Sequence, residues 1–421
     1  MLLNAVELGG FEALATRPWN KRRDYLKKAP PTVRRKHLLA GVILDMDRWA
    51  HQSRSAHLPE TARAGTKIRR SVLVTVPALD EAAGYNQIRQ GLVVYNDLAK
   101  MSACLSKACQ LLPQGAPTLS VSTFLAMGSP SLLYLYHGRS GALEEELSQL
   151  KKLAQRELSQ LDQCDASGMG EMMESERLYF QGHLEGAEIK AFQVQELARR
   201  SHRVANMICA AFLQARMGLT KGSWDQVSYF LKQAEDYVKK DDQPWHRQAL
   251  RLGTSYIYSL LGQQDRLAGE LAGGVLPENW YQPLAPFFYL LFSKYLLLRE
   301  EYSKLVGLFP MHYEAATGWA SVMAQIYLSL FAAIAYLKLS HEERGMSLLQ
   351  QSLSLARPDG IIMPFAEHMQ YLDLPLKKLL AAGWETSFLR CIQKASLENK
   401  FLAMQQQLDQ KSRSCSLTPR E

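Results

Sequence analysis

The chain has 421 residues, 47% of them hydrophobic and 21% charged, which is enough apolar side chain for a large core and excludes wholesale disorder. Its formal charge of +8 is uneven: residues 17–70 hold fifteen Lys/Arg against four Asp/Glu, so the rest of the chain is slightly acidic. Six cysteines (Cys104, Cys109, Cys164, Cys209, Cys391 and Cys415) form no Cys-x-x-Cys pair, and MLLNAVELGG lacks the basic stretch and long apolar run of a secretory signal, so a cytoplasmic protein in a reducing compartment is expected.

Residues 1–112 read as irregular helical repeats carrying the basic segment, densest from Arg17 to Lys36. Pro30-Pro31 breaks the chain there, and a helix from Thr32 towards Asp45 is expected. The basic segment could face nucleic acid or an acidic partner, but no base-stacking motif accompanies it, so sequence-specific DNA binding is not expected. Residues 113–130 are rich in Ser, Thr, Pro and Gly and read as a loop.

From residue 131 to 356 the pattern becomes periodic. One amphipathic helix runs into Gly182 and a second follows, with Leu184, Ala187, Ala191, Val194 and Ala198 at helical spacing. The unit returns after Gly222, with Trp224, Val227, Phe230, Leu231, Ala234 and Tyr237, and again after Gly262, followed by Leu267. Later turns fall near Glu300 and Ser340, and an earlier one at Gly141. A spacing of about 40 residues is that of helical-pair repeats, in which each pair buries its apolar face only against its neighbours. The expected fold is therefore all-α, a right-handed superhelical solenoid of tetratricopeptide-like helix-turn-helix repeats. Glycine at the turns supplies left-handed caps. Pro277, Pro283 and Pro286 predict one longer connection and Pro310 another. Residues 357–410 read as helices closing the solenoid, and 411–421 as a linker with a helix start.

Ala315 to Leu337 carries no charge and is about long enough to span a bilayer, but its Ala, Ser, Gly318 and Gln325 favour a helix buried in a large helical protein. No membrane association is expected. Motifs of catalysis are missing: Gly65-Thr66-Lys67 lacks the upstream glycine of a phosphate loop, and His341-Glu342-Glu343-Arg344-Gly345 lacks the second histidine of a zinc protease. No enzyme activity, cofactor or metal is expected. The one candidate site is a column of Glu176, Arg216 and Tyr256, at equivalent positions in three successive first helices, which in a tetratricopeptide stack would line the concave groove and receive a small-molecule inducer or a protein partner. The aromatic run Phe287-Phe288-Tyr289 with Tyr295 reads as core.

Three stretches carry a family resemblance. They are Met127-Gly-Ser-Pro130-Ser-Leu-Leu-Tyr-Leu-Tyr-His137 with Gly141 and Leu143, then Gly170-Glu-Met-Met-Glu-Ser-Glu-Arg-Leu-Tyr179 through Gly182 to Ala187, and Ala356-Arg-Pro-Asp-Gly360-Ile-Ile-Met-Pro364-Phe365. They resemble the middle of the large MalT-like, LuxR-type transcriptional regulators of Gram-positive bacteria. Leu417-Thr418-Pro419-Arg420-Glu421 looks like the opening of that family's helix-turn-helix domain, and reads physically as a capping box. The resemblance implies a sensor and protein-interaction scaffold, able to oligomerise, in a truncated or split regulator without its own ATPase or DNA-binding domain. The alternative is a stand-alone adaptor that binds a peptide or protein.

Overall fold

The computed structural model describes residues 168–400, apart from 201–203, 242–243, 278–279, 281–284 and 319–320, together with Glu144, Glu145, Ser148 and Met404. The basic segment, the 113–130 loop, the Gly141 turn and the helix start at Thr418 lie outside the described residues. Twelve α-helices and no strand occur among the described residues. They are α1 (Met169–Phe180), α2 (Leu184–Arg200), α3 (Val204–Lys221), α4 (Trp224–Asp241), α5 (Pro244–Leu260) and α6 (Ala285–Leu298). Then follow α7 (Tyr302–Gly318), α8 (Val322–Lys338), α9 (Glu342–Ala356), α10 (Met363–Ala366), α11 (Met369–Ala381) and α12 (Thr386–Glu398).

Five turns share one backbone form. Gly182, Gly222 and Gly262 are left-handed with φ of 83°, 74° and 72°, and Glu300 and Ser340 take the same conformation with φ of 59° and 62°. At the first, the Gly182 N–H donates to the Tyr179 carbonyl at 2.9 Å and the His183 N–H reaches back to Leu178 at 2.8 Å. This pair of bonds satisfies carbonyls that a helix end would otherwise leave bare. The same two bonds recur at Gly222, Gly262, Glu300 and Ser340. The next residue opens the following helix: the carbonyls of His183, Ser223, Glu301 and His341 accept from Ala187, Val227, Leu305 and Gly345. His341 therefore serves as a helix entry.

Sequence and structure part company at three places. After Gly262 there is no second helix at Leu267, only two 3-10 turns, Gln264–Arg266 and Gly269–Gly273. Gly269, Gly273 and Gly274 make a longer helix costly there. Pro310 does not mark a connection: it lies inside α7. Its ring is on the exposed side of a helix held by packing on α6 and α8, which offsets the lost backbone bond. Pro286 likewise begins α6 rather than a loop, a position whose N–H has no helical partner.

Each pair packs internally, α1 on α2, α3 on α4, α8 on α9, while first helices also meet each other: α1 on α3, α3 on α5, α5 on α6 and α6 on α8. The uncharged stretch from Ala315 is split between α7 and α8, and the Ser321 hydroxyl accepts from the Ala324 N–H as the cap of α8. From Val322 to Ala335 every residue of α8 except Gln325 is buried, as befits a helix surrounded by α6, α7, α9 and α10. Full burial of Leu330 or Phe331 contributes roughly 1.5–3 kcal/mol each. No described helix is long and apolar enough to cross a membrane. Phe287 and Phe288 are core, with Tyr289 and Tyr295 packed beside them.

After α9 the chain turns back across the first helices. The Ile362 N–H donates to the Phe180 carbonyl at 2.8 Å, Gln181 Nε2 to the Asp359 carbonyl at 3.0 Å, and the Lys400 N–H to the Thr220 carbonyl at 3.0 Å. The short α10 thus meets α1, α8, α11 and α12.

Ser340→Gly and Glu300→Gly should each raise stability by about 1 kcal/mol in urea unfolding, because glycine removes the left-handed strain of a side chain there. Gly345→Ala should lower it by about 1–3 kcal/mol. A Cβ at Gly345 would sit 2.7 Å from Leu337 Cγ and 3.1 Å from the Ala333 carbonyl, which would push α8 and α9 apart.

Candidate functional site

Counting six residues back from each left-handed turn residue gives Glu176, Arg216, Tyr256, Lys294 and Ile334, one from each of α1, α3, α5, α6 and α8. None exposes more than 2% of its surface. The three residues singled out from the sequence thus lie inside the protein, and the column continues into Lys294. Arg216 and Tyr256 come together, with Nη2 of the arginine 3.4 Å from the tyrosine hydroxyl. Glu176 is buried against Cys209; burial, and then the Glu176 charge, push that thiol well above its ordinary pKa.

What gathers the column is Glu367, just after α10. Its side chain is fully buried, and its Oε1 accepts from Arg216 Nη2 and from the Tyr179 hydroxyl at 2.7 Å. Its Oε2 accepts from the Tyr256 hydroxyl at 2.8 Å and the Tyr327 hydroxyl at 3.1 Å. Arg216 Nη2 also lies 3.1 Å from the Tyr327 oxygen. Four donors from α1, α3, α5 and α8 therefore converge on one carboxylate. That saturates its four lone-pair directions and leaves none to take a proton from a substrate.

The arginine is enclosed by rings. Its guanidinium carbon lies 4.7 Å from the Tyr179 ring centre, 4.9 Å from Phe180, 4.9 Å from Tyr256 and 5.7 Å from Phe212. Such contacts partly replace lost hydration, and the ion pair supplies the rest. Burial, and then the Glu367 charge, hold the Tyr179 hydroxyl well above the usual phenol range, so it stays a donor.

Two more buried bases, Lys294 and His368, lie near the pair, and a third, His312, is buried elsewhere in the core. Burial lowers Lys294 to about 7 against the pull of Glu367, and its ammonium lies 5.7 Å from both the Phe331 and Tyr371 ring centres. His368 Nδ1 lies 2.7 Å from the Pro364 carbonyl, which can only accept, so that nitrogen carries the proton. Burial, then the Lys294 charge, depress His368 well below an ordinary imidazole. His312 is pushed to about 4 by burial alone and stacks on Tyr289 at 4.8 Å.

Lys294 was within reach of the sequence, since the same count from Glu300 finds it. Tyr179 and Tyr327 carry no such mark, and Glu367 and His368 fall beyond the periodic region. Among the described residues no group of three or more His, Cys, Asp or Glu side chains is placed to hold a metal ion. The arrangement can recognise a carboxylate; here it recognises the chain's own.

Glu367→Ala and Arg216→Met should each cost about 3–5 kcal/mol, because each strands a buried partner charge. The double variant should cost clearly less than the sum, a coupling that urea unfolding of all four proteins measures. His312 and His368 fold as neutral imidazoles with depressed pKa. Their contribution is therefore complete above about pH 6.5 and is lost as the unfolded chain takes up protons at lower pH. Between pH 7 and 4, His312→Phe should lose roughly 3 kcal/mol less stability than the parent protein. No family model matches the chain, and no curated protein matches it.

Proposed function

We propose that this protein is a tetratricopeptide-like scaffold, its first helices forming the inner wall of a right-handed superhelix, and that it serves as the sensor and protein-interaction region of a LuxR-type regulator. One observation carries the scaffold part: five left-handed turns of one hydrogen-bonded form, about 40 residues apart, with successive first helices in contact. The resemblance around Pro130, Tyr179 and Pro364 supports the regulator part. In this reading the segment from Arg357 to Lys400 occupies the inner wall, with Glu367 in place of an incoming carboxylate. A ligand or partner acts by favouring one arrangement of that segment over another. A second reading, a stand-alone adaptor, uses the same wall.

Thermal unfolding with a panel of sugars, nucleotides and organic acids tests the reading, since a ligand of the folded state raises the melting temperature with the logarithm of its concentration above Kd. Concentration-dependent stabilisation, with altered hydrogen exchange along α1, α3, α5 and the segment after α9, is the expected result. Tight sequence-specific binding of duplex DNA by this chain alone would overturn it, as would substrate turnover that persists in Arg216→Met and Glu367→Gln.

A further inference from the structure

A second region has the makings of a binding site, and it lies apart from the Glu367 cluster. The end of α8, the start of α9 and one side of α11 enclose a cleft of about 370 Å³. That is within the range of small-molecule sites, roughly 300–1,000 Å³. Half of its lining residues are apolar, namely Ile334, Leu337, Met346, Leu374 and Pro375. Leu374 is 64% exposed, whereas the same helix buries Leu372, Leu376 and Leu379.

The polar groups of the cleft include two cations and one carboxylate. Lys338, Lys378, Glu342, Ser340 and Tyr371 complete the lining. Glu342 is taken up by Lys378, which closes one end with an ion pair between α9 and α11. Lys338 has no carboxylate partner among the described residues; its one contact is the Tyr371 ring, 5.9 Å from the ammonium. The same ring carries a second ammonium, that of buried Lys294, at 5.7 Å. The Lys294 ammonium also lies 5.7 Å from the Phe331 ring centre and feels the Glu367 carboxylate. Two lysines thus converge on one tyrosine at the edge of the cleft, and the one carboxylate lining it is already engaged. The C-terminal carbonyls of α8 offer Lys338 only partial charge. A fixed anion is the complement the cleft lacks, and an apolar body is what its walls would bury.

We propose that this cleft binds a small amphiphilic monoanion, a carboxylic acid with an apolar chain or ring, its head group on Lys338 beside Tyr371 and its body between Met346 and Leu374. The inference goes beyond the scaffold reading, and its failure leaves that reading standing, because none of the side chains bonded to Glu367 lines the cleft.

Calorimetric titration of the whole chain with decanoate, decan-1-ol and decyltrimethylammonium tests it. Decanoate should bind one to one, more tightly than the alcohol, with the cation weakest, and its affinity should fall as salt rises. Lys338→Gln should weaken decanoate about tenfold and leave decanol unchanged. Leu374→Glu, on the exposed side of α11, should weaken decanoate at least as much with no change in melting temperature. Equal affinity for acid and alcohol, decanoate binding indifferent to both substitutions, or no saturable binding would each overturn the proposal. Vesicles of phosphatidylglycerol form the last arm. Co-sedimentation that depends on Leu374 and Lys338, without decanoate binding, would show a surface that meets lipid headgroups and would equally overturn the small-acid assignment.

Discussion

Arg216 and Glu367 are buried as a pair, and neither could be buried alone without a large cost. Moving each from water to a protein core costs several kcal/mol, and only close, multiply bonded pairing repays it. This constraint fixes where the segment after α9 must lie: the carboxylate has to reach the guanidinium, so residues 359–367 are drawn across α1 and α3. The tyrosines then become compulsory donors. Tyr179, Tyr256 and Tyr327 turn their hydroxyls to the one acceptor, and each brings the inner face of its own helix into register with it. An apolar plug could have been as stable, but it would have specified position less sharply, because packing lacks the directionality of four hydrogen bonds.

The surrounding bases answer to the same burial. Lys294 feels two opposed influences, the low-dielectric interior that disfavours its charge and the Glu367 carboxylate that favours it, and burial prevails. His368 gives way completely and stays neutral, its proton spent on the Pro364 carbonyl. Around these polar groups α8 acts as an apolar axis, in contact with helices on every side.

Much of this was legible in the sequence, for a physical reason. A left-handed turn with helices of fixed period on both sides leaves its mark at short range, so Gly182, Gly222 and Gly262 announce themselves and Glu300 and Ser340 follow by spacing. The second-helix faces at Ala187, Ala191 and Val194 follow from the same period. The column of Glu176, Arg216 and Tyr256 was found in the same way, but its environment was not. Whether such a column faces water or interior depends on what lies opposite. What lies opposite Arg216 is Glu367, 151 residues further along the chain, outside the periodicity. The glycines after Leu267 were visible as well, yet the single leucine suggested a helix that three glycines do not sustain.

The distance along the chain between partners also orders events in time. Each helix pair is joined by a single left-handed residue, so its contacts are local and form quickly. The Tyr179–Glu367 bond spans 188 residues and closes only once that whole length exists. During synthesis, α1 to α9 can pair off while Arg216 still awaits its counter-charge, and the arrival of Glu367, rather than helix formation, becomes the step at which this cluster is completed.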